Sequence, residues 1–153
     1  TCTSPTLKDG SHTISVKASD NDGNAAAAKT ATFTVDTVPP TLQITAPSND
    51  LVTNKKTVTI TGKTDDVTSK PVTVTVKGAT VTVGTDGTFT KEVTLVEGAN
   101  TITIVAKDKA GKTTTVTRKV TVDTSAPVIK SITLTPNPVD CGKTFIIAVE
   151  ITD

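Results

Sequence analysis

The sequence predicts an all-β chain built from tandem antiparallel β-sandwich modules, one complete and two partial. Three observations carry that expectation. About a quarter of the 153 residues are Thr, and Val is the next most abundant. Both are β-branched, stiff at χ1 and suited to a pleated, half-buried surface. Apolar residues alternate with Thr at period 2 over most of the chain, and no stretch of comparable length shows helical periodicity. The chain also repeats itself.

The repeat sets Leu7-Lys8-Asp9-Gly10-Ser11-His12-Thr13-Ile14-Ser15-Val16-Lys17-Ala18-Ser19-Asp20 against Leu95-Val96-Glu97-Gly98-Ala99-Asn100-Thr101-Ile102-Thr103-Ile104-Val105-Ala106-Lys107-Asp108. The shared pattern is L-x-[DE]-G-x-x-T-I-x-[IV]-x-A-x-D, followed in each copy by a glycine, Gly23 or Gly111. Each copy then runs through a Thr-rich strand to Val35-Asp36-Thr37 or Val122-Asp123-Thr124, and on to proline. The spacing is 88 residues from Gly10 to Gly98 and 87 from Val35 to Val122, the size of a small sandwich. It divides the chain into the closing part of one module (1–37), a complete module (38–124) and the opening strands of a third (125–153). The junctions Thr37-Val38-Pro39-Pro40 and Thr124-Ser125-Ala126-Pro127 are short, and proline holds them extended.

The elements follow in order. Ile14 and Val16 mark a strand before the Asp20-Asn21-Asp22-Gly23 turn, and a strand through Phe33 returns to Asp36. In the complete module, Leu42 and Ile44 begin a strand ending at Ala46-Pro47-Ser48-Asn49-Asp50. Val58 and Ile60 alternate with Thr57, Thr59 and Thr61 in the next. Pro71 opens a third carrying Val72, Val74 and Val76, and Lys77-Gly78 turns it toward Val81 and Val83. Thr85-Asp86-Gly87-Thr88 is a tight-turn signal. Phe89, Val93 and Leu95 follow, then Ile102, Ile104 and Ala106, then Val116, Val120 and Val122. About seven short strands with a turn every ~8–12 residues make a sandwich, apolar side chains inward and Thr outward. Phe33 and Phe89 both fall in alternating strands and are expected in the core.

Composition excludes several functions. Lys+Arg 16 against Asp+Glu 15 leaves a net charge of +1, with no electrostatic footprint for nucleic acid. Three Phe and no Tyr or Trp cannot supply stacking platforms for single strands. No apolar run approaches the ~20 residues needed to cross a bilayer, so membrane insertion is not expected. No charged-then-apolar leader opens the sequence, as in a mature form or excised fragment. One His and two widely separated Cys do not assemble the usual catalytic clusters, so no enzyme is expected.

The segment Leu95-x-Glu97-Gly98-x-Asn100-x-Ile102-x-Ile104-x-Ala106-x-Asp108-x-Ala110-Gly111, with Val122-Asp123-Thr124 and proline after it, resembles the bacterial immunoglobulin-like (Big-type) repeat domains of secreted and cell-surface proteins. The first copy departs from it at His12, where Asn100 stands, and at Asn21-Asp22, where Lys109-Ala110 stand. The tail Ile132-Thr133-Leu134-Thr135-Pro136-Asn137-Pro138-Val139, with Gly142, Phe145, Ile147 and Val149, looks like the first two strands of a related domain. The resemblance implies tandem immunoglobulin-like sandwiches. It spans adhesin stalks, surface-anchored proteins, accessory regions of polysaccharide-degrading enzymes and phage appendages, so it does not supply a function.

Candidate sites are few. Asp20-Asn21-Asp22-Gly23-Asn24 looks like a fragment of an oxygen-ligand calcium loop, but the longer loop signature with its closing Glu is absent. The equivalent Asp108-Lys109-Ala110-Gly111-Lys112 carries two lysines. Related surface repeats sometimes hold calcium near the domain linker, and that resemblance points to Asp36 or Asp123. The residues themselves favour turn chemistry, with these carboxylates accepting backbone N–H bonds, and no catalytic, cofactor or metal residue is assigned. His12 is expected to face solvent, opposite Ile14 and Val16. Asp65-Asp66 is expected in a solvated loop. The lysines fall mainly in turns or among outward Thr positions, which gives no support to a Lys–Asn isopeptide staple.

By the repeat register, Asp153 matches Asp66 and Thr1 matches Phe89, so the two partial modules together lack only the counterpart of residues 67–88. Cys2 and Cys141 fall where both can lie at one pole of such a composite, within or between chains. Two arrangements stay open: a segment of a longer repeat array, or head-to-tail complementation between neighbouring molecules. The expected role is a non-catalytic module of an extracellular rod or stalk that spaces or displays a functional head. The alternatives are a phage tail or capsid appendage and a carbohydrate- or cell-adhesion binding module. Expected partners are neighbouring modules or copies of the chain, and a cell-surface glycan or protein for the adhesion alternative.

Overall fold

The computed structural model describes residues 6–135, 137–138 and 141–153. All twelve regular elements among them are strands. In chain order they are β1 (Gly10–Val16), β2 (Lys29–Val35), β3 (Thr41–Ala46), β4 (Leu51–Thr53), β5 (Thr57–Asp65), β6 (Thr73–Val76), β7 (Ala79–Val81), β8 (Thr88–Thr94), β9 (Gly98–Lys107), β10 (Thr113–Val122), β11 (Val128–Thr135) and β12 (Ile146–Thr152).

The strands β3 to β10 make the sandwich. One sheet has the order β3-β5-β8 and the other β4-β10-β9-β6-β7. All pairings are antiparallel except β4 with β10, which is parallel over Leu51–Thr53 against Val120–Val122. The core is aliphatic: Ile60, Val74, Ile102, Ile104 and Ala106 are fully buried, and Phe89 is its one aromatic member. Thr occupies most of the outward positions of β5 and β8, as the alternation requires.

Three-residue β4 has no sequence signal of its own. It arises because the chain leaving β3 crosses to the opposite sheet, and side chains of β10 and the crossover hold it there. The Arg118 guanidinium donates from Nε to Pro47 O (3.2 Å) and from Nη2 to Ile44 O (3.1 Å), and the Lys119 N–H donates to Asn49 Oδ1 (3.0 Å). Tight packing also explains a glycine inside β5. A Cβ on Gly62 would stand 2.6 Å from Gln43 O and 2.7 Å from the Phe89 ring. In the turn before β8, Gly87 has φ +82°, the left-handed conformation the Asp-Gly pair is suited to.

The flanking residues form two hairpins, β1–β2 and β11–β12, and each copies part of the sandwich. Gly10 pairs with Val35 and Val16 with Lys29, as Gly98 pairs with Val122 and Ile104 with Val116. Val128 pairs with Thr152 and Ile129 with Ile151, as Thr41 pairs with Asp65 and Leu42 with Thr64. The hairpins lack the covering sheet. Ile14 is 53% exposed where its counterpart Ile102 is buried, and Phe33, expected in the core, is 37% exposed.

His12 does not face away from Ile14. Residues 12, 14 and 16 share one face at period 2. The His12 ring stacks on Phe33, its cross-strand partner, with centroids 5.6 Å apart, and Nε2 donates to Lys8 O (2.7 Å).

The contrast between sandwich and hairpin gives a paired prediction for urea denaturation. Ile102→Ala should cost about 2–5 kcal/mol, the range for emptying a buried aliphatic site. Ile14→Ala, at the equivalent but exposed position, should change stability by no more than ~0.5 kcal/mol.

Candidate functional site

Three aspartates far apart in sequence meet where β2 leads into the sandwich. Asp36 follows β2, Asp66 follows β5, and Asp108 follows β9. One carboxylate oxygen from each lies within 4.8 Å of the other two. Asp66 and Asp108 are buried and Asp36 half-buried.

Local turn chemistry places each carboxylate. The Val38 N–H donates to Asp36 Oδ1 (3.1 Å). The N–H groups of Thr68 (2.8 Å) and Ser69 (2.6 Å) donate to Asp66 Oδ1, and that of Lys112 to Asp108 Oδ1 (2.8 Å). The Lys109 N–H donates to Ser69 O (3.1 Å), which ties the Asp66 loop to the Asp108 loop. These bonds leave Asp36 Oδ2 and Asp108 Oδ2 buried and without a hydrogen-bond partner. Asp66, expected in a solvated loop, is buried because its own turn folds it inward against that second loop.

The set is all oxygen and all carboxylate, the donor type that hard divalent cations take; no thiolate or imidazole takes part. Two oxygens on opposite sides of a calcium ion stand roughly 4.6–5.2 Å apart, so the observed spread fits inside one coordination shell.

A second pair of carboxylates latches the two linkers. The Thr37 N–H donates to Asp9 Oδ1 (3.1 Å) and its hydroxyl to Oδ2 (2.9 Å). At the other junction the Thr124 N–H and hydroxyl each donate to Glu97, at 2.8 Å. Asp123 also repeats the turn of Asp36, with its Oδ1 accepting from the Ser125 N–H at 3.0 Å.

The Asp20 loop, which looked most like a calcium loop in the sequence, is satisfied internally. Asp20 Oδ1 accepts from the N–H groups of Asp22 (3.1 Å) and Asn24 (2.8 Å), and Oδ2 accepts from the Asn24 amide (2.8 Å). The Asn24 bonds hold the Asp20 carboxyl below the usual carboxylate range. Asp22 and Asp123 take no part in a three-carboxylate group among the described residues. Cys141 is an exposed free thiol, while Cys2 and any bridge to it lie outside the described residues. Asp66 is the residue that sequence reasoning left out of the site. Its recurrence as Asp153, with the 87-residue spacing that relates Asp36 to Asp123, is the signal that could have drawn attention to it.

The family model described as glucodextranase, domain B, matches residues 40–124, more than half of the chain. The chain belongs to that family. A model described as a bacterial Ig-like domain matches residues 1–37, so the immunoglobulin-like character read from the repeat motif holds. Bacillopeptidase F of Bacillus subtilis (strain 168) is 33% identical over 126 residues, which is 82% of this chain and 9% of that protein. The chain therefore corresponds to a small part of this relative.

Two solved structures are similar to parts of the chain at low identity. Fibronectin(III)-like modules of Clostridium thermocellum CbhA match 76% of this chain and 64% of theirs, at 24% identity and TM-score 0.45. A tetra-tandem repeat in the extending region of a large adhesion protein matches 94% of this chain and 46% of its own, at 23% identity and TM-score 0.46.

The unpartnered oxygens have a measurable consequence without any divalent cation. In chelator, Asp108→Asn removes one of three clustered negative charges but keeps an oxygen for the Lys112 N–H. It should stabilise the sandwich by roughly 1–3 kcal/mol, the scale of a relieved buried unsatisfied group, read from the urea midpoint.

Proposed function

We propose that the chain is a non-catalytic spacer: a run of immunoglobulin-like modules in an extracellular rod or stalk, on a secreted or surface protein, that holds a functional head away from its anchor. One observation supports this most directly. Both linkers carry the same device, a carboxylate from the start of a hairpin gripping the N–H and hydroxyl of the linker threonine, Asp9 on Thr37 and Glu97 on Thr124. Each grip holds the linker residue at two points. With proline two or three residues further on, the chain loses most of its freedom to swivel. A binding or catalytic domain does not need each connection fixed in this way; a rod does.

The aliphatic core and Thr-covered surface fit the same role. Solvation comes from hydroxyls rather than from a large net charge. The partners in this reading are neighbouring modules, in the same polypeptide or in another copy, because the apolar faces of both hairpins match the buried faces of β9–β10 and β3–β5. Light scattering over a range of concentrations, with and without reductant, separates the two cases. A constant monomer mass assigns those faces to the same polypeptide, and a ladder that collapses on reduction assigns them to copies joined through the cysteines.

Small-angle scattering tests the spacer itself. The expected result is an elongated distance distribution for the 153-residue chain, and a broader one for the Asp9→Ala/Glu97→Ala double variant with both latches removed. A compact distribution for the parent chain would overturn the reading.

A further inference from the structure

We infer that Lys91 keeps the free edge of β8 closed to a further strand, and so keeps the sandwiches of neighbouring molecules from joining side by side into one continuous sheet. The inference concerns the sandwich itself and holds whether or not the chain is a spacer.

A sheet edge presents a row of unpaired N–H and C=O groups that another chain can pair with. The sandwich has four edge strands, β3 and β8 in one sheet and β4 and β7 in the other. Three of them are closed by other means. Strands β4 and β7 are three residues long, too short to template a partner. Strand β3 is bulged between Ile44 and Ala46, and side chains of β10 take carbonyls in and beside it. Arg118 bonds Ile44 O and Pro47 O, and Thr114 bonds Pro40 O.

Strand β8 has none of these protections. It is seven residues long and pairs with β5 without a bulge. Two bonds fix the direction of its backbone groups. The Leu95 N–H donates to Lys56 O (2.8 Å), toward β5, whereas the Gly84 N–H reaches Thr88 O (2.8 Å) from the opposite side. Backbone groups alternate in direction along a strand, so those of Glu92 and Thr94 point to the free edge. The preceding chain shields the start of β8, where Val83 bridges Phe89, and leaves these later residues open.

Side chains alternate along β8 as well. Thr88, Thr90, Glu92 and Thr94 face solvent, while Phe89 and Val93 are buried in the core. Lys91 stands between those two on the inward face, half-buried and directly opposite the fully buried Ile60 of β5. A lysine in such a position lays its stem on apolar surface and keeps its ammonium in water; at an edge strand that water lies beside the edge. A strand added to β8 would enclose the ammonium. The one ion pair among the described residues, Lys70 with Asp65, gives Lys91 no carboxylate, so enclosure would bury an unpaired charge at a high cost. An outward lysine such as Lys119 imposes no such cost, because it stays in solvent when the sheet is extended.

Light scattering of the 153-residue chain in reductant over a range of concentrations, with amide hydrogen exchange at Glu92 and Thr94, tests the guard. Every mass is read against that of the parent chain under the same conditions. Lys91→Val completes the apolar row, and its mass should rise with concentration to about twice the parent's or beyond. Exchange at Glu92 and Thr94 should slow at least about tenfold as it does so. Lys119→Val removes the same charge from an outward position and should match the parent in both readings. Adding Glu92→Pro to Lys91→Val deletes a donor that points to the free edge and spares the ladder with β5, so the parent's mass should return. A folded Lys91→Val chain that matches the parent in mass and exchange would overturn the inference. Association that survives Glu92→Pro would overturn it too, since it then runs through another surface. If Lys91→Val melts early, Lys91→Met, with an unbranched stem and no charge, gives the same reading.

Discussion

The sandwich depends on two sheets closing over a core made mostly of Val and Ile, with Leu95, Ala106 and a single phenylalanine. Such side chains are short and have few rotamers to lose, so they fit the narrow gap between sheets without the volume that aromatic residues bring. The limits of that solution show at Gly62, where Gln43 O and the Phe89 ring leave no room for a Cβ. They show again in the hairpins. The same strand sequences that bury Ile102 and Ile104 leave Ile14 and Val16 exposed when no second sheet lies across them. Burial here belongs to the pair of sheets, and no strand carries it alone.

A module with so thin a core gains from what happens at its ends. Each junction is short, and the contacts there are carboxylates taking backbone N–H groups. The first latch uses Asp9 and the second Glu97, side chains that differ by a methylene, yet both grip the N–H and the hydroxyl of the linker threonine. Preservation of the bonding pattern despite a change of residue places the requirement on the linker geometry. The Thr114 hydroxyl adds a further tie by donating to Pro40 O just past the first linker, so the linker is bonded to the hairpin at Thr37 and to the sandwich at Pro40.

Most of the strand order was legible in the sequence because period-2 alternation is a local property: β3, β5, β6, β8, β9 and β10 all lie where apolar residues alternate with Thr. What was not legible is non-local. Strand β4 is three residues long and exists because β10 is beside it. His12 lies on the face of Ile14 and Val16, as its even spacing from them requires, and not opposite them. Asp66 read as a solvated residue beside Asp65, and its burial follows from contact between two loops whose residues lie about forty positions apart. Seven strands, β3 to β9, separate Asp36 from Asp108. No local pattern brings them together, though each recurs in the repeat.

The sequence favours turn stabilisation for Asp36 and Asp108, and the structure gives each of them a turn bond through one oxygen only. A carboxylate has two oxygens. At Asp36, Asp66 and Asp108, Oδ1 accepts backbone N–H groups of the turn that follows. That bond fixes χ1 and χ2, so the second oxygen is held in place without any further loss of side-chain freedom. Turn chemistry is therefore what fixes the geometry of the cluster. The Asp20 loop has the same turn, and there Asn24 takes the second oxygen. Between two loops of one backbone design, the side chain at a single position, Asn24 or Lys112, decides whether the aspartate is finished by its own loop or left open to a neighbour.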